Sequence, residues 1–363
     1  MRLNWEKVKI VENREYVLGA LVEPLCSWYE KNRRSMPWRE DASPYHVWLS
    51  EIMLQQTRIE AAMAYYERFI RRLPDVKALA EVSEEELLKL WEGLGYYNRA
   101  RNLQKAARLV VERYDGKLPA DYDLLLALPG IGNYTAGAIA SIAYGIPAPA
   151  VDGNVLRVAM RYLNCEDDIM KMSVRRKMEQ AVMAVIPAQC PGEFNQALME
   201  LGEVICIPNG RPLCETCPLQ KQCEGHAAGR ETELPKKAEK KERRIEKKTI
   251  LVFRQGEKIG IRQRPADGLL AGMWEFPALE GQLSLNQMKQ WVVDQNLPGT
   301  VVKRLKAGKH IFSHVEWHMK GYEIILPEGQ TQDVVSELMW CERQELADKY
   351  PVPIAFHIFL HQI

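Results

Sequence analysis

The sequence predicts a mainly α N-terminal region followed by an α+β C-terminal domain. Three observations carry this. From about Tyr16 to Ala228, apolar residues recur at three and four with breaks at Pro and Gly, which is the period of packed helices. Between Arg230 and Lys248 stand nine Lys or Arg and five Glu with hardly an apolar residue, a linker by composition. After it, short runs rich in β-branched residues frame one helical stretch. The expected organisation is a helical domain over 1–229, a charged linker over 230–248 and an α+β domain over 249–363.

Within the helical region, Tyr45–Arg72, Glu84–Glu92, Arg99–Arg113, Tyr134–Tyr144 and Val155–Tyr162 match helix periodicity, and Asp121–Ala127 matches a shorter helix. Beyond the linker, Thr249–Phe253 and Lys258–Arg262 read as strands and Leu285–Asp294 as a helix, while Ile311–Leu326 returns to alternating β sequence. With 363 residues, 47% hydrophobic and 27% charged, the chain is an ordinary globular protein of about two domains. Its 49 Lys plus Arg against 48 Asp plus Glu leave +1, so a nucleic-acid surface must come from local clustering. No apolar run is long enough to span a bilayer, and no membrane partner is expected. Met1–Tyr16 mixes charges without the apolar core of a signal peptide, so a cytoplasmic protein is expected.

Of eight cysteines, Cys206, Cys214, Cys217 and Cys223 crowd into one stretch as C-x7-C-x2-C-x5-C. Four thiolates on one short loop hold either a cubane cluster or a tetrahedral zinc, in a reducing compartment. Zinc loops more often pair two C-x-x-C knuckles, whereas this one has a single C-x-x-C flanked by wider spacings, which favours [4Fe-4S]. Four buried free thiols are the poorer reading, because Pro208-Asn209-Gly210-Arg211-Pro212 is a polar loop.

Leu128-Pro129-Gly130-Ile131-Gly132 joins two short helices. Gly130 and Gly132 would let this turn expose backbone N–H groups next to a helix N-terminus, which suits a phosphate oxygen. A plain helix connector is the competing reading. Arg99, Arg101, Lys105, Arg108 and Arg113 oppose only Glu112 nearby, a basic stripe of the kind DNA phosphates meet.

Two carboxylates occupy unusual positions. Glu51 lies one helical turn from Val47, Trp48, Leu54 and Gln55, where desolvation would raise its pKa into the range of a general acid. A glutamate snorkelling at the core edge is the alternative. Asp152 precedes the helix at Val155, where Asp is a favoured N-cap and helix amides would keep it ionised against a developing cation. One neutral acid and one charged carboxylate reproduce the division of labour in glycoside cleavage.

Taken in order, the Gly130/Gly132 hairpin, Val151-Asp152-Gly153-Asn154-Val155 and the four cysteines resemble the helix-hairpin-helix DNA glycosylases with an iron–sulphur cluster. Pro37-Trp38-Arg39, Ser50-Glu51-Ile52-Met53-Leu54-Gln55-Gln56-Thr57 and Trp91-Glu92-Gly93-Leu94-Gly95-Tyr96-Tyr97 resemble, within that superfamily, the adenine DNA glycosylases of the MutY type. The likeness extends through Gly268–Pro277 and His310-Ile311-Phe312-Ser313-His314, so it covers essentially the whole chain.

The resemblance implies a helix-hairpin-helix six-helix barrel with an iron–sulphur domain, then a Nudix-like domain. It implies a monomer that excises adenine opposite 8-oxoguanine or guanine in double-stranded DNA, in the nucleoid. Glu51 is carried over as the acid that protonates adenine N7 and Asp152 as the carboxylate facing the sugar, with Tyr134 and Asn154 positioning Asp152 and the sugar. Trp38, Arg39, Gln55, Gln56, Thr57 and Tyr96 fall on DNA- or base-contacting positions, and Phe312, Ser313 and His314 on the 8-oxoguanine reader.

The endonuclease III type, the nearest alternative, places a Schiff-base Lys where this chain has Tyr134, so chemistry should stop at the abasic site. A lesion-binding protein without catalysis is disfavoured by the presence of both carboxylates. Between Gly272 and Trp291 only Glu275 and Glu280 occur, too few for the Mg²⁺-binding helix of a Nudix hydrolase. His310, His314 and His318 would share one strand face, but no nearby Cys completes a zinc site. The family's cluster loop usually reads C-x6-C-x2-C-x5-C. The extra residue here falls in the Asn209-Gly210 turn, where insertion is tolerated.

Overall fold

The structure, a computed structural model describing residues 16–238, 242–328 and 333–363, divides into two units. One comprises the described residues of Met1–Gln55 and Glu112–Glu239, the other Gln56–Val111 with those of Lys240–Ile363. The segment whose lack of a signal core was noted lies, but for Tyr16, outside the described residues.

In chain order the helices before the linker are α1 Val22–Asn32, α2 Pro37–Glu40, α3 Pro44–Leu54, α4 Ile59–Arg72, α5 Val76–Glu81, α6 Glu84–Leu90, α7 Asn98–Tyr114, α8 Tyr122–Leu126, α9 Asn133–Ala138, α10 Gly153–Tyr162, α11 Met172–Val185, α12 Pro191–Val204 and α13 Glu224–Ala227. Their starts follow local chemistry. Asp75, Ser83, Asp121 and Asp152 each accept a hydrogen bond from a backbone N–H in the first turn, and α2, α3 and α12 open with Pro.

The expected Tyr45–Arg72 helix is two helices. It breaks after Leu54 because Gln56 turns left-handed at φ 60° and Arg58 is extended, which ends the i→i−4 ladder. The expected Tyr134–Tyr144 helix continues α9 as a π-turn over Ile139–Ala143.

In the first unit, Leu21, Leu25, Val155, Leu156, Phe194 and Leu201 form a core around α10, whose residues from Val155 to Tyr162 are all buried. Two of these are arginines. Arg157 donates to the carbonyls of Cys206 at 2.7 Å and Gly202 at 2.5 Å, and Arg161 to those of Leu234 at 2.8 Å and Ile207 at 2.9 Å. Burying two cations is tolerable only with such partners, and here they fix the cysteine loop to α10.

The second unit holds a seven-stranded mixed sheet with strands β1 Arg244–Gln255, β2 Lys258–Gln263, β3 Trp274–Glu275, β4 Ala278–Glu280, β5 Val301–Ile311, β6 Val315–Ile325 and β7 Met339–Glu342. The order is β3-β2-β1-β6-β5, with β4 on β1 and β7 on β2, and β1 runs parallel to β6. Ile250 and Val252 face one core with Trp317, Phe356 and Phe359, while Leu251 and Phe253 face the other with Met288 and Val292. The period-two alternation thus serves a sheet covered on both sides, by α14 Leu285–Asp294 on one and, beyond α15 Asp333–Ser336 and α16 Arg343–Asp348, α17 Ile354–Leu360 on the other.

Helix α6, and α7 as far as Val111, belong to this unit, with specific bonds. Lys89 donates to the carbonyl of Tyr350 at 3.1 Å, Val352 N–H to Glu92 at 3.1 Å, and Arg101 to the carbonyl of Ala271. The expected β run Ile311–Leu326 contains a reversal, because Phe312–His314 turns between β5 and β6. His310 pairs with Trp317 across the ladder and His318 with Lys309, so the three histidines do not share a strand face. No helix among the described residues is long and apolar enough to cross a membrane.

Candidate active site

Glu51 lies in α3 among Val47, Trp48 and Ile52, and is itself only 7% exposed. Burial pushes its carboxyl up to about 7, against a hydrogen bond from Tyr134 and the Arg39 charge, with Asp152 adding to the rise. Tyr134, in the first turn of α9, donates its phenol proton to Glu51 Oε2, and its oxygen lies 3.2 Å from Met199 Sδ on α12. A phenol there cannot become an imine.

Asp152 caps α10. Its Oδ1 accepts from Val155 N–H at 2.8 Å and its Oδ2 from Asn154 Nδ2 at 2.9 Å. The cap alone would hold this carboxyl low. Burial instead raises it above its ordinary value, and the amides of Val155 and Asn154, the Arg157 charge and the Asn154 side chain oppose the rise. Asn154 is oriented in turn by Arg157, which donates to its Oδ1 at 2.9 Å. Gly202 lets α12 approach this corner, since a Cβ there would stand 2.7 Å from Asn154 Cβ. Glu51, Tyr134 and Asp152, with Asn154 bonded to Asp152, thus come together as one polar constellation within the first unit.

Trp38 is buried at 6% exposure. Arg39 faces inward, donating to Glu200 Oε2 at 2.8 Å and to the Arg34 carbonyl at 2.9 Å, while Arg34 Nε holds Glu200 Oε1 at 2.5 Å. Burial would raise the Glu200 carboxyl, but the two arginines hold it below its ordinary value. Glu200, Met199, Arg157 and Gly202 were missed from sequence. Glu200 carried no comparable signal, because Gln196 and Glu203 share its helix face with Ala197 and Val204.

In the hairpin Gly130 adopts φ +78°, a conformation that favours Gly, and Gly132 is the extended N-cap of α9. Both are exposed and Ile131 is buried between them. Gln55, Gln56 and Thr57 form the turn after α3 rather than continuing its helix, with Gln56 exposed.

In the second unit the phenol of Tyr96 lies 3.0 Å from the Ser313 hydroxyl. Phe312 packs edge-on against His310 and Trp317, leaving Ser313 and His314 exposed at the β5–β6 turn. Tyr96, Arg99, Leu270, Phe312 and Ile354 line a cavity of about 840 Å³. Of the five residues in the basic stripe on α7, Lys105 and Arg113 are exposed, while three are engaged by the protein itself. Arg99 donates to the carbonyls of Leu94 and Gly95, Arg101 pairs with Glu84 at 2.6 Å, and Arg108 donates to the carbonyl of Ala80 at 3.0 Å. Glu275 is likewise engaged, held between Arg262 and Arg264.

Cys206, Cys214, Cys217 and Cys223 are free thiols that line one small cavity with Arg161, and Arg161 Nη1 lies 3.3 Å from Cys206 Sγ. Four convergent soft donors beside a buried cation fit a thiolate-bound metal centre. Arg211 and Lys221 on the same loop are exposed.

A helical hairpin, a buried acid beside a helix-capping Asp and an appended mixed sheet define a base-excision class of protein. Residues 49–183 match the HhH-GPD superfamily base excision DNA repair protein family, and 249–362 match the NUDIX domain. The chain is 36% identical to the adenine DNA glycosylase of Rattus norvegicus over 85% of its own length and 70% of that protein. It is 35% identical to that of Homo sapiens over 85% and 67%. A solved thermostable thymine-DNA glycosylase superposes with a TM-score of 0.52 at 28% identity, over 58% of this chain and 96% of that one. The chain belongs to the adenine DNA glycosylase family.

Proposed function

We propose that this protein excises adenine paired with 8-oxoguanine, or with guanine, from double-stranded DNA and leaves an abasic site. The observation that carries the reading is Glu51, buried, titrating near neutrality and hydrogen-bonded by Tyr134, with Asp152 close enough to raise its pKa further.

Adenine is a poor leaving group until its ring is protonated, and it must leave the stack to be reached. Glu51 gives its proton to N7 of the flipped base, and the electron pair of the glycosidic bond departs with adenine. Asp152 faces the electron-poor sugar while Asn154 holds its Oδ2. Water adds at C1′ and returns a proton to Glu51. Tyr134 keeps Glu51 aimed and offers no amine, so no covalent imine or strand cleavage follows, which argues against the lyase reading.

Trp38 supports the Arg39 segment and Arg39 steadies the acid's field. Gln55, Gln56 and Thr57 enter the duplex, and Gly130 and Gly132 take a backbone phosphate. Tyr96, Phe312, Ser313 and His314 read the base opposite adenine. Cys206, Cys214, Cys217 and Cys223 would hold a [4Fe-4S] cluster, whose iron–thiolate bonds cross-link the loop that presents Arg211 and Lys221 to DNA. The protein acts as a monomer at the nucleoid in the cytoplasm.

The test is single-turnover reaction of a duplex carrying A opposite 8-oxoguanine, with alkali added to half of each sample. Breaks only after alkali support the reading. Breaks without alkali overturn it in favour of a lyase, and no breaks in favour of a binding module.

A further inference from the structure

Beside the four thiolates the cysteine loop brings two further donor atoms, from His226 and Glu231, which with Cys214 make a second possible ligand set. Cys214, His226 on α13 and Glu231 each bring one ligand atom to within 4.8 Å of the other two, and all three line the same small cavity. The Glu231 side chain is only 10% exposed. Its Oε2 and His226 Nδ1 are both shut off from solvent without a hydrogen-bond partner. His226 Nδ1 stands 4.0 Å from Glu231 Oε1, too far for a direct bond. Buried polar atoms are rarely left in this state, and those that are call for a ligand or ion.

We propose that Cys214, His226 and Glu231 form a mononuclear site for a divalent ion of the zinc type, exclusive with the cluster because both use Cys214. One thiolate, one imidazole and one carboxylate are a mixed set that zinc accepts, whereas magnesium and calcium take oxygen ligands. Zinc bonds of about 2.0–2.3 Å place tetrahedral ligands about 3.5 Å apart, so side-chain rotations close the site and water fills the fourth position. On binding, the Cys214 thiol releases its proton to solvent, and each ligand atom donates a lone pair. No electron is transferred. The thiol the two sites share is the one that follows the unusually long C-x7-C spacing. Such an ion would hold the loop in chains lacking a cluster and compete with cluster assembly. The inference stands apart from adenine chemistry.

The test uses the full chain stripped of its cluster by chelation and titrated with Co²⁺, a visible stand-in for zinc, followed by displacement with Zn²⁺. The expected result is one Co²⁺ per chain with thiolate charge-transfer bands. Outer-shell partners alone cost 10–100-fold in affinity, so His226→Ala and Glu231→Gln should each weaken binding about tenfold or more. Cys206→Ser and Cys223→Ser should leave Co²⁺ binding unchanged. As a folding control, the His226 and Glu231 variants rebuilt with iron and sulphide should keep full iron content. Binding indifferent to His226→Ala and Glu231→Gln, binding lost with Cys206→Ser or Cys223→Ser, or no stoichiometric binding would each overturn the proposal.

Discussion

The phenol of Tyr134 donates to Oε2 of Glu51, and of the groups around that carboxyl it is the strongest that opposes the rise caused by burial. Tyr134→Phe removes this bond while keeping the ring. A net hydrogen bond is worth about 0.5–1.5 kcal/mol, so the Glu51 pKa should rise by roughly half to one unit. The alkaline limb of the single-turnover rate expected above about pH 7 in the wild type, where Glu51 loses its proton, should shift upward accordingly. Rates over roughly pH 5 to 9 read this directly. An unmoved limb would mean that another group is the acid.

Glu51 also sets a pH dependence of stability. Its carboxyl titrates higher in the folded chain, about 7 against 4.5, so the folded state binds this proton more tightly. The resulting stabilisation is present below pH 4.5 and is lost as pH rises through 7, above which the buried charge opposes folding. The difference corresponds to roughly 3 kcal/mol. Glu51→Gln should therefore unfold at a higher temperature than wild type at pH 8 and show no gain at pH 4, while excision is abolished and mispair binding is kept. Thermal melts at the two pH values separate the cases, and a variant less stable at pH 8 would contradict the burial argument.

Gly202 admits α12 to the corner where Asp152 caps α10. Gly202→Ala sets a Cβ 2.7 Å from Asn154 Cβ, in a helix whose backbone cannot yield freely. Overpacking of this kind costs about 1–3 kcal/mol, and a displaced Asn154 loosens its hold on Asp152. Melting should fall by a few degrees and the excision rate by about tenfold or more, with DNA affinity little changed. A lower rate that tracks only the unfolded fraction would reduce Gly202 to a packing role.

The constellation was legible where chemistry breaks a local rule. Glu51 on an apolar face and Asp152 at a helix start announce themselves, because burial and capping are one-dimensional signals. The break after Leu54 gave none, since Gln55-Gln56-Thr57 contains neither Gly nor Pro, although Gln56 takes a left-handed φ of 60° that Gly usually supplies. The α7 arginines read as a phosphate stripe, since sequence does not show that carbonyls of Leu94, Gly95 and Ala80 lie beneath them. Met199 and Gly202 depend on how α12 docks, which no spacing along the chain encodes.

For the cysteine loop, the aerobically purified full chain should be brown, with about four irons and equal acid-labile sulphide per chain. Cys217→Ser should lose most of the iron, because its thiol lies in the cavity shared by all four. The loss should weaken DNA binding more than it slows excision of bound substrate, since Arg211 and Lys221 ride on this loop. Iron analysis and binding isotherms check both parts, and a colourless, fully active protein would refute the assignment.

The 3.0 Å contact between Tyr96 and Ser313 joins two residues 217 positions apart inside one unit. It couples the segment after α6 to the β5–β6 turn, where Phe312 is wedged between His310 and Trp317 and so fixes the turn while Ser313 and His314 stay exposed. A reader of the opposite base needs this pairing of rigid anchor and exposed donor, because discrimination comes from hydrogen bonds held in place beforehand. Tyr96→Phe removes one partner of the pair but keeps its stacking with Arg99, whose guanidinium sits 5.6 Å over the ring. Ser313→Ala removes both that contact and an exposed hydroxyl. One exposed hydrogen bond is worth about 0.5–1.5 kcal/mol, so each variant should lower the preference for 8-oxoguanine over guanine about two- to tenfold. Excision opposite guanine should hardly change, because Glu51, Tyr134 and Asp152 are untouched. Competing the two duplexes in one reaction measures the ratio, and equal losses on both would move Tyr96 and Ser313 from specificity to general DNA binding.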